Sequence, residues 1–422
     1  MRFRNLGQWL DWQATLHPKE IDLGLVRVAE VWRRLEPKGL QAPVVTVAGT
    51  NGKGSSVALL EAIYLRAGYR VGAYTSPHLV RYNERIRLNG EMASDAQLCR
   101  AFEMIDEARG LIPLTYFEFA TLAALLLFAQ ESPDLVILEV GLGGRLDAVN
   151  IIDADVALIT TVDLDHTEWL GDTREQIGLE KAGIMRADRP VVLADGNMPE
   201  SVLQHARELQ AEAYLAGRDF HASAGDAGWE WSRTDGVPLT LPFPNLRGEG
   251  QLYNASAVIM VCELLQSRLP VTAEVLSEGL RQVSLPGRLQ LIRGAPSLLL
   301  DVAHNPQSVT LLKGALERLD WPGEVHALFG LMQDKDAAGI VNILHSSIRD
   351  WYLLDLPGNR GRTADQLNVA LRKAGIALPT LCFQSFGSAF EAVREAAQPQ
   401  DLILIFGSFL VVGEALQYLT AE

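Results

Sequence analysis

The chain is poor in cysteine, with three, Cys99, Cys262 and Cys382, among 422 residues. They lie far apart and form no Cys-x-x-Cys pair. That excludes a disulfide scaffold and reads as reduced thiols buried in a core. Basic residues are outnumbered, 37 Lys plus Arg against 52 Asp plus Glu, for a net charge of −15. Such a balance argues against nucleic acid or anionic lipid as a partner, because both need a basic face. Long apolar runs are missing as well. The longest, Phe119 to Ala129, is broken by Thr121 and falls far short of the ~20 residues of a membrane span. The opening Met1-Arg2-Phe3-Arg4-Asn5-Leu6 has no apolar core of a signal peptide, so the cytoplasm is the expected location. No internal repeat and no low-complexity tract is present. With 48% apolar and 21% charged residues the chain is an ordinary globular one, long enough for two or three domains.

Strand and helix patterns alternate. Val44-Val45-Thr46-Val47 is a short β-branched run, followed by a glycine-rich turn and an apolar-periodic stretch from Ser56 to Ala67. Strands are expected at Arg70 to Thr75, Leu135 to Leu138, Val156 to Val162 and Pro190 to Leu193. Helices are expected at Leu98 to Ala108, Phe117 to Gln130 and Arg174 to Met185. From Tyr214 to Pro244 turns separate alternating apolar residues, which suggests a small antiparallel insert. Two helices follow, Tyr253 to Leu265 and Ala273 to Gln282. Ser284-Leu285-Pro286-Gly287 is the natural boundary, and β/α alternation restarts after it with five more strands. The expected fold class is α/β: a mostly parallel sheet domain over residues 1–287 carrying a phosphate loop, with the insert at about 214–244, and a smaller Rossmann-like α/β domain over 288–422. Ligands of such sheets bind beyond the carboxyl ends of the strands.

After Val44–Val47 come Gly49, Thr50, Asn51, Gly52, Lys53, Gly54 and Ser55. A glycine-rich turn opening a helix aims several N–H groups at one point, and the helix dipole adds positive charge there. Lys53 supplies a full charge for β- and γ-phosphates. The fit to G-x-x-x-x-G-K-[ST] is loose, since Val47 stands at the first glycine and Gly54 follows the lysine. A nucleotide–metal site also needs oxygen or imidazole ligands. Strand ends offer Ser76 and His78, Glu139, and the Asp163-Leu164-Asp165-His166 segment. Glu139 is the sharpest, because a carboxylate ending an apolar strand is costly unless it meets a cation or donors. Gly141-Leu142-Gly143-Gly144 is not a dinucleotide fingerprint, since Leu146 holds the place of the third glycine. A guanine-reading Asn-Lys-x-Asp, the mark of a GTPase switch, is absent.

Gly49–Lys53 resembles the nucleotide loop of the Mur ligase superfamily, and its Gly54-Ser55 continuation resembles the folylpolyglutamate synthase branch. The likeness extends over nearly the whole chain. It includes Ile21–Leu25, Thr75–Leu79, Tyr116–Glu118, Leu138–Asn150, Asp163–Gly171, Glu180–Ile184 and Asp301–Pro306. It is to the bacterial dihydrofolate synthase/folylpolyglutamate synthase family. A cell-wall ligase, the alternative, usually has a separate N-terminal domain, for which the chain ahead of Gly49 leaves little room. A nucleotide-binding switch without ligase activity is the other alternative; a degenerate binder would be expected to lose Lys53, Glu139 or His166.

The resemblance implies an ATP-dependent ligase joining L-glutamate to dihydropteroate and adding further glutamates to reduced folates. Its cofactors would be ATP and two Mg2+ ions, with K+ as a candidate monovalent ion. Its partners would be small molecules alone, and the chain a monomer. Ser76, Glu139 and His166 would hold metal. Asn254, Arg288 and Asp301 would join the loop in binding nucleotide. Lys53, His304 and a carbamylated Lys181 would serve catalysis. The pterin and its carboxylate would be met by Asp22, Leu23, Gly24, Thr115, Tyr116, Phe117, Glu118, Gly144, Arg145 and Leu146. That family usually has glycine where this chain has Val302, which puts the local backbone conformation in question.

Overall fold

The structure, a computed structural model, describes residues 2–35, 39–248, 250–358, 360–376 and 380–421. It divides into two compact units. One is Met1–Asn245 with Leu252–Val283, the other Leu246–Gln251 with Ser284–Glu422. The short excursion of Leu246–Gln251 has a packing reason. A Cβ added at Gly248 would lie 3.0 Å from Leu289, and one at Gly250 would lie 3.2 Å from Leu311.

The first unit is built on an eight-stranded sheet of order β4-β3-β2-β5-β1-β6-β7-β8. Its strands are β1 (Val44–Ala48), β2 (Val71–Tyr74), β3 (Ile86–Leu88), β4 (Glu91–Met92), β5 (Leu135–Glu139), β6 (Val156–Ile159), β7 (Pro190–Leu193) and β8 (Glu212–Leu215). Six run parallel, and β3 and β4 add an antiparallel edge. Every residue of β1, β2, β5 and β6 is buried. That is why these strands read as continuous apolar runs without alternation. The helix Tyr116–Glu131 is buried on all sides from Glu118 to Phe128. Thr115 and Glu118 form its capping box, and Ser132, at φ 50°, ends it just before Pro133.

The antiparallel insert is smaller than the sequence suggests. Glu212–Leu215 extends the large sheet, with Tyr214 opposite Val192 of β7. Only β9 (Phe220–Ala224), β10 (Trp229–Arg233) and β11 (Leu239–Leu241) form the separate sheet. Trp229 and Trp231, two apart and hence on one face, are both buried. Their indole N–H groups donate to Pro242 O at 2.9 Å and Ser256 O at 3.0 Å.

The second unit carries a six-stranded sheet of order β12-β13-β17-β14-β15-β16. These are β12 (Gln290–Ile292), β13 (Ser297–Asp301), β14 (Val325–Phe329), β15 (Asp350–Leu354), β16 (Thr380–Phe383) and β17 (Leu402–Phe406). All but β12 are parallel. Its core stacks Phe329 on Phe406, with Trp351 edge-on to Phe329. Burying each such ring is worth about 1.5–3 kcal/mol. No helix among the described residues is long and apolar enough to cross a membrane.

Candidate active site at the carboxyl ends of the first sheet

β1 lies between β5 and β6, where the strand order reverses direction. Crevices at such a switch point are where open α/β sheets bind ligands. Past Ala48 the chain turns at Gly49 and enters the 14-residue helix Lys53–Arg66 through Gly52, at φ 90°. A side chain at Gly52 would come within 2.5 Å of the Asn254 amide oxygen. The turn and Asn254, two of the expected nucleotide elements, are thus packed together. Lys53 Nζ curls back to donate to Gly49 O at 2.9 Å and Thr50 O at 3.3 Å. Gly54 and the buried Ser55 complete the first helical turn.

Glu139 is the last residue of β5, pairs with Val47 of β1 and is 4% exposed. Ser76 follows β2 across a cis bond to Pro77, and its N–H donates to Glu139 Oε2 at 3.2 Å. A carboxylate with no local sequence signal holds this loop. The Glu84 carboxylate accepts the N–H groups of Leu79, Val80 and Arg81 at 2.7, 2.8 and 2.6 Å. His166 ends the loop after β6 at φ 51°, with its N–H on Asp165 Oδ1. Among the described residues no three His, Cys, Asp or Glu side chains form a metal cage. A buried carboxylate, a serine and an imidazole suit a hard divalent ion that takes its remaining ligands from phosphate and water.

Lys181, on the helix Arg174–Ala182, is 4% exposed. Burial first, and then the charge of Lys53, push its pKa down to about 7, while Asp165 opposes. The sequence shows only a lysine in a charge-rich helix. Asp147 was not singled out either. It is 2% exposed, accepts from Leu142 N at 2.8 Å and Val149 N at 3.1 Å, and burial raises it to about 7 against those donors and Lys53. Its signal is its place directly after the glycine-rich Gly141–Leu146 segment.

The expected substrate residues fall into two groups. Phe117 lies on Gly141, where an added Cβ would sit 2.5 Å from its ring. Tyr116 stands edge-on to Tyr82 at 5.7 Å, and the Arg85 guanidinium covers both rings. Arg85 Nε also donates to His78 Nδ1 at 2.9 Å, which leaves the neutral ring's proton on Nε2. Burial first, and then Arg85, lower His78 to about 4. Thr115 and Glu118 cap their helix, and Arg27 Nε lies 2.9 and 3.0 Å from the two Glu118 oxygens. Arg27 also binds Asp22, which leads into the half-buried Leu23 and Gly24. In the second group, Gly144 and Arg145 pack on the Lys181 helix and the half-buried Leu146 follows them. Arg145 N donates to Glu180 O at 2.7 Å and its exposed guanidinium pairs with the Glu180 carboxylate at 2.8 Å.

In the second unit Asp301 ends β13. Its oxygens accept from Leu289 N and Ala303 N, both at 2.8 Å. Burial raises its pKa, and Arg288 is the largest opposing influence. Arg288 lies over the Phe409 ring at 5.2 Å. His304 Nδ1 is 2.8 Å from Val302 O, so it donates there and leaves Nε2 as the lone-pair nitrogen of the neutral ring. Val302 is not among the positive-φ residues, so its backbone makes no demand for glycine. Lys335 and Asp334 pair at 3.4 Å, and Asp336 caps the helix Ala337–Leu344.

Residues 47–262 match the Mur ligase middle domain and residues 287–409 the Mur ligase glutamate ligase domain, and the chain belongs to the Mur ligase family. Within it the likeness is to one branch. The chain is 42% identical to the Escherichia coli dihydrofolate synthase/folylpolyglutamate synthase, over 99% of this chain and 96% of that one. The solved structure of E. coli FolC with DHPP and ADP superposes at a TM-score of 0.92, covering 99% of this chain and 98% of the other at 42% identity. A bifunctional folylpolyglutamate synthase/dihydrofolate synthase with Mn, AMPPNP and L-glutamate bound superposes at 0.90, with 43% identity and coverage of 99% and 98%.

Proposed function

We propose that the chain is an ATP-dependent ligase that joins L-glutamate to dihydropteroate, giving dihydrofolate, ADP and phosphate, and adds further glutamates to reduced folates. The observation that carries this is the convergence of the Gly49–Ser55 turn, Lys53 and the Ser76–Glu139 contact at the carboxyl ends of neighbouring parallel strands. The 42% identity over 99% of the chain supports the substrate class. The relative solved with Mn, AMPPNP and L-glutamate supports nucleotide with a divalent ion. We assign the ion as Mg2+, two per site, with K+ as a monovalent companion, in a cytoplasmic monomer.

A carboxylate cannot acylate an amine, because its oxygen leaves poorly. Attack of that oxygen on the γ-phosphorus of ATP expels ADP and forms an acyl phosphate. The turn's N–H groups and Lys53 hold the triphosphate in line and neutralise charge on the transferred group. Ser76, Glu139 and His166 would hold the divalent ion, which when bound supplies further charge neutralisation. The amine of glutamate then attacks the acyl carbon, and the tetrahedral species expels phosphate. His304, oriented by Val302 O, offers Nε2 as the acceptor for the amine's proton. Lys181, half neutral near pH 7, has the free amine that adds carbon dioxide, forming a carbamate and releasing a proton. A carbamate there would replace a repelling cation beside Lys53 with an anion for the second ion.

A coupled ADP-release assay tests this with dihydropteroate, tetrahydrofolate and a UDP-muramoyl peptide, each with and without glutamate. Glutamate-dependent turnover of the first two is expected. Turnover of the UDP-muramoyl substrate alone makes the chain a cell-wall ligase. ADP release without glutamate and without ligated product makes it a nucleotide switch.

A further inference from the structure

Two threonines outside every assigned set hold the phosphate turn in shape. β6 ends at Ile159, and Thr160 and Thr161 follow. Thr160 N–H donates to Ala48 O at 2.9 Å. Its hydroxyl is 2.6 Å from Asn51 O and 3.2 Å from Ala48 O. A hydroxyl has one proton, and the shorter contact identifies Asn51 O as its main acceptor. The Thr161 hydroxyl accepts from Asn51 N at 3.2 Å and lies 3.3 Å from Asn51 O. Thr161 O accepts Thr50 N at 2.7 Å. The Thr50 hydroxyl in turn accepts Asp163 N at 3.0 Å and donates to Asp163 O at 3.1 Å. Ala48, Thr50 and Asn51 are therefore laced to Thr160, Thr161 and Asp163.

The lacing explains a glycine. A Cβ at Gly49 would lie 1.8 Å from the Thr160 hydroxyl, which fills the space a side chain would need. It also fixes a dipole. A peptide carbonyl turned toward a triphosphate repels it, and N–H groups turned toward it attract it. With Asn51 O tied to β6, that carbonyl cannot swing into the turn. Thr160 is fully buried, so no water stands ready to replace its hydroxyl.

We propose that Thr160, seconded by Thr161, is a positioning residue that pre-forms the phosphate turn before nucleotide arrives. This rests on reading Gly49–Ser55 as the nucleotide site. Thr160→Val keeps the shape and β-branching and removes only the hydroxyl. ADP affinity, measured by equilibrium dialysis on the full chain, should fall about tenfold, the factor expected from one buried hydrogen bond. Thr160→Ser should restore it to within about threefold on the same scale. Thr161→Val, which loses longer bonds, should cost less than Thr160→Val. In turnover, KM for ATP should rise while KM for glutamate and for the acyl substrate holds steady.

Unchanged ADP affinity in Thr160→Val overturns the proposal. So does a serine variant as weak as the valine one, or a common rise in all three KM values. If Thr160→Val does not fold, the serine and Thr161→Val variants carry the same ADP test. Because dialysis needs no turnover, a wild-type chain that binds ADP but ligates no glutamate sinks the proposed function and leaves this test standing.

Discussion

β5 and β13 are both five-residue parallel strands, buried throughout, and both end in an acid, Leu-Val-Ile-Leu-Glu139 and Ser-Leu-Leu-Leu-Asp301. The two acids are used differently. Asp301 has both oxygens on backbone N–H groups of its own unit. Glu139, one methylene longer, reaches Ser76 N of a neighbouring strand's loop. Asp301 also feels the charges of Arg288 and His304, which oppose the rise that burial causes. The short acid spends both oxygens on its own turn; the long one, on the function proposed above, would meet an external cation. A buried carboxylate is informative only once its partners are known.

The largest expected effect tests that contrast. Glu139→Gln and Lys53→Ala should each lower kcat by roughly 10²–10³-fold or more, as loss of a group stabilising transferred charge does, with little change in unfolding. A variant within tenfold of wild type in steady-state ADP release would remove that residue from the chemistry. Asp301→Ala should act on stability instead. Two buried N–H groups lose their acceptor, which costs about 2 kcal/mol or more, readable in denaturant unfolding. Asp301→Asn, which keeps one accepting oxygen, should cost less.

Lys181 gives the next effect. Its pKa falls from 10.5 to about 7 on folding. Between those values the unfolded chain binds a proton that the folded chain does not, so its contribution makes stability rise with pH across that window. Below pH 7 both states are protonated and the contribution is flat. Lys181→Met should remove this slope in nucleotide-free protein and raise stability at neutral pH. A difference between the two proteins that does not vary from pH 7 to 10 would contradict the buried-amine reading.

How much of this was legible in the sequence depended on range. The Gly49–Ser55 turn and Glu139 were readable because a glycine run and a charge in an apolar strand are local signals. The mostly parallel α/β plan was readable because buried strands lack alternation. β8 was misjudged, since an edge strand of four residues looks the same beside a parallel or an antiparallel neighbour. The N-terminal helix Leu6–Leu16 and the edge strands β3, β4 and β12 left no strong periodic trace, and Val26–Arg34, though amphipathic, is only nine residues long. Burial of Lys181 was hidden because Arg174–Ala182 is rich in charge. The Thr160–Asn51 bond, 109 residues apart, is a property of strand order alone.

Arg145 gives the smallest effect. The sequence suggests a substrate carboxylate as its partner, whereas the structure shows an exposed pair with Glu180. Arg145→Ala should cost about 0.2–1 kcal/mol of stability, as exposed pairs do. A rise in KM for dihydropteroate of fivefold or more would show that the guanidinium leaves Glu180 for substrate.

The most direct measurement is anomalous diffraction from a crystal soaked with Mn2+ and a non-hydrolysable ATP analogue. The proposed site predicts phosphates on the N–H groups of Asn51 to Ser55 and a manganese peak touching Glu139 and His166. Phosphates seated elsewhere, with those two side chains turned from every metal peak, would contradict it.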